Sequence, residues 1–408
     1  MTQSLHTYFK GIAVKRISEV EIKPKKSNQH EFNGTRSFKE LLGLNKRSFK
    51  TKFLYLTDDE ERNKFEESSV TWYDSRENHE TRTEHRLYYK TLSLFESVNP
   101  GDLMIFCEIS KSSAIIIFAE SDSNIEKQLL WLFGLEEVTG KFIVKDFSKT
   151  NIEVGFARSY VLEAIGIEVK YDESNYLDQI LRKFGNKFPT TKDFSSFARS
   201  TITGISPLDD PDKVLLMWMQ QEEVLFKILE KHLLEEKLKK GFGKSGKDVD
   251  EFINFSLSIH QRRKSRAGWA FDHHVAEIFD AYKIKYSRQA KTEGKSKPDF
   301  LFPGTKQYNL RSYPEGLLTM LGIKTTAKDR WRQVLAEADK IKTKHLLTLE
   351  PAISVDQTNE MRNKSVQLVV PTEVLNSYNK KQKEEIINFS EFIKIVKLKQ
   401  EKNDRMAF

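Results

Sequence analysis

One cysteine among 408 residues rules out an internal disulfide and leaves no thiol cluster for structural zinc. It is Cys107, inside the apolar run LMIFCEI. No apolar run reaches the roughly 18 residues of a membrane-spanning helix. The opening stretch MTQSLHTYFKGIAVKR lacks the apolar core of a signal peptide, so the expectation is a soluble, cytoplasmic protein. Internal repeats and low-complexity tracts are missing too. GFGKSGK (241–247) begins like a phosphate loop, but the first glycine of that motif would fall on position 238, which is Leu.

What is present is a charged, well-mixed chain. Hydrophobic residues make up 38%, aromatics 11% and charged residues 31%, enough apolar material for a core beneath a solvated surface. The length exceeds one ordinary core and predicts two domains. Lys and Arg number 67 against 59 Asp and Glu, a formal net charge of +8. Such an excess suits a polyanionic partner, because neutralising phosphates releases counterions.

Residues 1–165 read as mainly β. KFLYLT, VTWY, RLYYKTLSLF, DLMIFCEI and SAIIIFAES recur between turn signals such as Asn99-Pro100-Gly101, the spacing of a small barrel or sandwich. Helical patterns interrupt it at 37–44 and 124–134. The polar stretch 166–178 reads as a linker. From 179 to 408 the period becomes helical, with one helix across 211–240, a second across VDEFINFSLSIHQRRK and a third across WAFDHHVAEIFDAY. The runs DFLF, LTMLGIKT, HLLTLE and VQLVVP then alternate with helical KDRWRQVLAEADKI, which predicts an α/β sheet, and the tail is one more amphipathic helix.

Metal-assisted phosphodiester hydrolysis needs hard oxygen ligands and a group to position water. A large nuclease superfamily places an Asp at one strand end and Asp/Glu-x-Lys on the next strand. Here Asp299 and Lys324 suit those places, but position 322 is Gly. A helix after Ala327 would carry Glu337 on the face of Val334 and Ile341, toward the sheet, where a carboxylate is costly unless paired or metal-bound. Taken singly, Asp299 reads as a turn residue and Glu337 as a surface glutamate; with a strand lysine beside them they read as a site. Asp272 is a further acidic candidate, or a helix-surface aspartate. Its neighbours His273 and His274 point in different directions on a helix, which argues against zinc. Lys328, Asp329 and Arg330 open a helix and suit base edges in the major groove, Lys and Arg donating to guanine and Asp accepting from cytosine; otherwise they are solvated charges. Arg262, Arg263, Lys264 and Arg266 form a basic cluster read as phosphate-contacting, although cations at a helix C-terminus are ordinary.

RRKSRAG (262–268), EGKSKPDFLFP (293–303), IKTTAKDRWRQVLAEADKI (323–341) and VQLVVP (366–371) together resemble the EcoRII-type restriction endonucleases over roughly residues 179–400. The resemblance implies a restriction-endonuclease-like PD-(D/E)xK fold and cleavage of double-stranded DNA at CC(A/T)GG with Mg2+. It implies Asp299 and Glu337 as metal ligands, Lys324 as the catalytic lysine, and Lys328, Asp329 and Arg330 as the recognition triplet. It places a further acid on Asp272, where the family's namesake has Glu. Relatives extrude central bases of the site; the pocket would fall in LLMWMQQEE (215–223), with Trp218 or Gln220 against the base, or Trp218 in the core. A fainter resemblance over 30–140 implies a DNA-binding pseudobarrel of the kind shared with the plant B-three transcription factors. Its arms would be 33–50 and 73–86, with Arg36, Arg76, Arg82 and Arg86 as contacts. A cognate DNA methyltransferase and a possible homodimer follow from the same resemblance. A DNA-binding regulator with an inert nuclease domain is the alternative, and a nuclease reading branched DNA is a third.

Overall fold

The computed structural model describes residues 3–22, 30–136, 138–150, 152–169, 176–243, 246–293 and 296–406. Lys264, Lys328 and Asp329 are described in backbone only. The chain divides into two compact units, residues 1–169 with 352–354, and 170–351 with 355–408.

The first unit holds β1 (Gln3–Ser4), β2 (Gly11–Arg16), β3 (Glu31–Asn33), β4 (Arg47–Leu56), β5 (Lys64–Asp74), β6 (His85–Tyr89), β7 (Leu103–Ser110), β8 (Ser113–Ala119), β9 (Ile143–Asp146) and β10 (Glu153–Val154). Eight of them form one curled sheet in the order β3-β6-β5-β4-β8-β7-β2-β9; β1 pairs with β10 separately. Only β4 and β8 run parallel within the large sheet. The alternation of β4 sets its two faces: Phe49, Phe53 and Tyr55 enter a buried aromatic core while Lys50 and Lys52 stay outside. The helix Arg36–Leu42 follows edge strand β3, and its Phe38 packs on Phe142, beside edge strand β9, at 5.0 Å. It stands between the two edges of the sheet.

The second unit adds β11 (Ser287–Arg288), β12 (Phe300–Phe302), β13 (Thr319–Lys324), β14 (Lys344–Thr348), β15 (Val366–Val370) and β16 (Ile387–Asn388), a six-stranded sheet in sequence order. Pairing is antiparallel up to β13 and parallel beyond it. Phe279 packs against Phe300, Phe302 and Phe389, joining two helices to one face of the sheet. The helix Pro211–Lys240 starts where the Asp210 carboxylate accepts the Lys213 N–H and stops at left-handed Gly241. Asp212 on its first turn is buried and accepts the N–H groups of Thr372, Phe389 and Ser390 at 2.8–3.0 Å.

Three sequence expectations change. The second and third helices are one, Val249–Ala281. Gly268 costs only about 1 kcal/mol in a helix, and ion pairs before it and buried Ala270, Phe271 and Val275 after it hold the backbone continuous. KDRWRQVLAEADKI is not an α-helix but a 3-10 helix over Lys328–Ala336. Of the expected linker 166–178, residues 170–175 lie outside the described residues, and Tyr176 already begins the helix Tyr176–Phe184. Residues 244–245 of the glycine-rich stretch lie outside them as well.

Candidate active site

Asp299 immediately precedes β12, whose Phe300 lies opposite Leu321 of β13. That register brings the carboxylate to the end of β13. Asp299 Oδ2 accepts the Ile323 N–H at 2.7 Å and stands 3.5 Å from the Lys324 ammonium. Oδ1 accepts from the Gln289 side-chain amide at 2.7 Å, and the Gln289 N–H reaches the Asp299 carbonyl at 3.1 Å. Gln289 adopts a left-handed φ of 48° to do both.

Glu337 arrives by way of the 3-10 helix that follows β13. Side chains three apart eclipse one another in such a helix, so Trp331, Val334 and Glu337 share one face. Trp331 and Val334 are fully buried; Glu337 caps the helix in extended conformation. The helix is anchored at its start, where buried Glu350 accepts the Ala327 N–H at 2.6 Å. After its end the Lys344 ammonium donates to the carbonyls of Glu337 and Ala338 at 2.5 and 2.6 Å. Thr292 Oγ1 and Glu293 Oε2 accept the next two N–H groups, of Ala338 and Asp339.

Burial raises the Glu337 carboxyl to about 7, and the Asp299 carboxylate adds to the rise; Lys324 and Lys344 oppose it. Glu337 Oε2 is buried without a hydrogen-bond partner. Two carboxylates and an ammonium therefore act on one another, with one carboxylate oxygen unsatisfied. This donor set fits a hard divalent cation such as Mg2+, which commonly takes one or two carboxylates and keeps water and phosphate oxygens for its other ligands. Among the described residues no group of three or more His, Cys, Asp or Glu forms an all-protein cage.

Asp272 is buried in the 249–281 helix and paired with Arg288 of β11. The structure thus gives Asp272 a cationic partner one residue from Gln289, the residue whose side chain holds Asp299 Oδ1. The two histidines diverge as helix geometry requires: His273 meets Thr191 and Arg288, while His274 is sealed against Glu222 and Arg199.

Arg330 is exposed at the start of the 3-10 helix; the side chains of its neighbours Lys328 and Asp329 lie outside the described residues, as does that of Lys264. The basic cluster separates. Arg262 is exposed over the Phe188 ring, and Arg263 reaches buried Glu230 at 2.7 Å. Arg266 is buried between Glu222, Glu223 and the Phe226 ring, a packing role where phosphate contact was expected. Trp218 is likewise buried, against His274 and Arg199, so its ring lies in the core; Gln220 is half-buried.

In the first unit Arg36 is 93% exposed beside Glu40, and Arg82 is exposed. Arg76 and Arg86 share Glu84, and Arg86 also binds Glu31 at 2.6 Å, so these two are already neutralised by carboxylates. Sequence reasoning missed Gln289 and Lys344. Gln289 lies ten residues before Asp299 in a hairpin-like stretch, and Lys344 opens the apolar run KHLLTLE; both signals were available.

Among curated proteins, 208 residues, 51% of this chain, are 39% identical to the type II restriction enzyme EcoRII of Escherichia coli, covering 50% of that protein. The chain spans about half the length of this curated relative. Solved structures include a metal-depleted Ecl18kI with uncleaved, modified DNA, similar at a TM-score of 0.45 and 19% identity over 57% of this chain and 86% of that one. A PspGI–substrate DNA complex is similar at 0.41 and 16%, over 53% and 94%. The family model described as EcoRII C terminal matches residues 226–393, which include Asp299, Lys324 and Glu337. By sequence, this chain therefore carries a domain of the EcoRII C-terminal family.

Proposed function

We propose that the chain is a type II restriction endonuclease that hydrolyses phosphodiester bonds of double-stranded DNA at the Asp299–Lys324–Glu337 cluster. One observation carries the reading: Asp299 and Lys324 are in contact, both act electrostatically on the buried Glu337 carboxyl, and Glu337 Oε2 has no hydrogen-bond partner. Asp299 and Glu337 would hold Mg2+, which when bound supplies Lewis-acid polarisation of the phosphate and a more acidic water. Lys324, fixed against Asp299, orients the attacking water as an ammonium, or takes a proton from it once it has itself become a neutral amine. The water enters in line, the 3′ oxygen leaves, and a 5′ phosphate remains. The ammonium also opposes the charge that grows on the phosphoryl oxygens.

The recognition reading extends from the same segment. Lys328, Asp329 and Arg330 begin the 3-10 helix that Glu337 caps, so a base-reading triplet and a metal ligand belong to one short helical segment. CC(A/T)GG is the site this reading predicts. We assign residues 1–165 to a DNA-binding effector module, contacting DNA through exposed Arg36 and Arg82, and 179–408 to recognition and cleavage. A cognate methyltransferase would protect host DNA, and a homodimer would match a symmetric site.

Digestion of plasmid DNA with Mg2+ tests the reading, followed by sequencing of the ends. Discrete fragments carrying 5′ phosphates at CC(A/T)GG are expected. Retarded DNA without cutting would instead favour a regulator with an inert nuclease domain, and cutting only at junctions or flaps would favour a structure-reading nuclease.

A further inference from the structure

Ala338, directly after Glu337, is fully buried and left-handed at φ 50°. A non-glycine residue persists in that region only where its surroundings over-determine it. Here one side chain holds two successive carbonyls of the turn. Lys344 is 6% exposed, and its ammonium donates to two successive carbonyls, Glu337 and Ala338, at 2.5 and 2.6 Å. Two bonds from one nitrogen hold the two peptides that flank Ala338, and with the first of them the direction in which the Glu337 side chain departs. A buried charge is an expensive way to fill a strand position if packing is the whole purpose.

We propose that Lys344 is a positioning residue, clamping the Glu337–Ala338 turn so that the Glu337 carboxylate is aimed at the point it shares with Asp299 and Lys324. The inference rests on reading that cluster as a metal-dependent hydrolytic site. Lys344 acts through Glu337 and does not touch the reacting phosphate. Thr292 and Glu293 secure the far side of the same turn through the Ala338 and Asp339 N–H groups.

The test uses the full chain and the variants Lys344→Met and Lys344→Arg. Mn2+ binding is read by electron paramagnetic resonance and Mg2+ dependence by plasmid cleavage. Lys344→Met should weaken Mn2+ binding roughly 10–100-fold, the range for residues that orient a metal ligand. The Mg2+ needed for half-maximal cleavage should rise in parallel, while the rate at saturating Mg2+ changes little. Lys344→Arg, which keeps a cation and paired donors, should recover part of the loss. In a Glu337→Gln background, adding Lys344→Met should leave Mn2+ affinity unchanged, because the partner through which it acts is gone. Wild-type Mn2+ affinity in a folded Lys344→Met protein, or an equal further loss in the Glu337→Gln background, would overturn the proposal. If Lys344→Met loses its near-ultraviolet circular dichroism, Lys344→Arg carries the test, and unaltered Mn2+ affinity in that folded variant overturns it. A wild-type chain that binds Mn2+ but never cuts DNA defeats the nuclease reading and leaves the Lys344 assignment to the binding data.

Discussion

Gly322 and Val334 share a single space: a Cβ on Gly322 would stand 2.6 Å from Val334 Cγ1. Position 322 is where an Asp/Glu-x-Lys strand would carry its acid, two residues before Lys324. That room is taken by the segment that supplies Glu337 three residues later. The missing acid and the borrowed one are thus a single structural exchange.

Gly322→Ala should therefore destabilise the protein by about 1–3 kcal/mol, the usual cost of overpacking. Val334→Ala in the same chain should return part of it. Urea denaturation midpoints measure both. Gly322→Glu should also fail to restore cleavage to Glu337→Gln; restored fragments would show that the two positions are interchangeable.

The Glu337 carboxyl, near 7 in place of its ordinary 4.5, sets a pH dependence for the metal-free protein. The folded state holds this proton more tightly than the unfolded chain. Stability from this group is therefore lost as pH rises from about 4.5 to about 7, and the full cost is present above 7. Without divalent ions, Glu337→Gln should melt a few degrees above wild type at pH 8, and the difference should close toward pH 4.5. Calcium should raise the wild-type melting temperature and leave the variant unmoved. Scanning fluorimetry across pH reads all of this, and a variant that melts lower at pH 8 would contradict it.

Asp299→Ala should abolish cleavage in magnesium while leaving DNA binding in calcium largely intact. Gln289→Ala removes only the 2.7 Å amide bond to Oδ1 and so should be milder. Its expected mark is a rise of roughly 10-fold or more in the Mg2+ required, as for other groups that orient a metal-binding carboxylate. Digestion over a magnesium series separates the two variants. Full activity in Asp299→Ala would remove that residue from the site.

Asp212→Ala tests the fold away from the chemistry. Its carboxylate satisfies three N–H groups at the starts of two distant segments, and burial makes those bonds hard to replace with water. The loss should be about 3 kcal/mol, with Asp212→Asn recovering part. Equilibrium unfolding in urea gives the value.

Most strands and the 211–240 helix were legible because their signals are plain: alternation along the first half of β4, an unbroken apolar run in β7, caps at Asp210 and Gly241. Asp299 and Lys324 were legible from the same runs, one standing just ahead of a strand and the other closing the next. The 3-10 helix was not. Val334 and Glu337 are three apart, a spacing that suits an α-helical face and a 3-10 face equally, and only the crowding at Gly322 and the bond from Ala327 to Glu350 decide between them. The inward turn of Arg266 was invisible because its partners, Glu222 and Glu223, lie over forty residues away on another helix. Charge clusters in a sequence carry no record of the carboxylates that neutralise them in space.

Cys107 is wholly enclosed by the first unit's sheet, and burial pushes its thiol well above the usual range. Thiol-directed dyes and spin labels should pass over it in the native molecule. A cysteine installed on the surface would then be the sole reporter, and distance changes on adding DNA or cation become measurable without first stripping the chain of its own sulfhydryl.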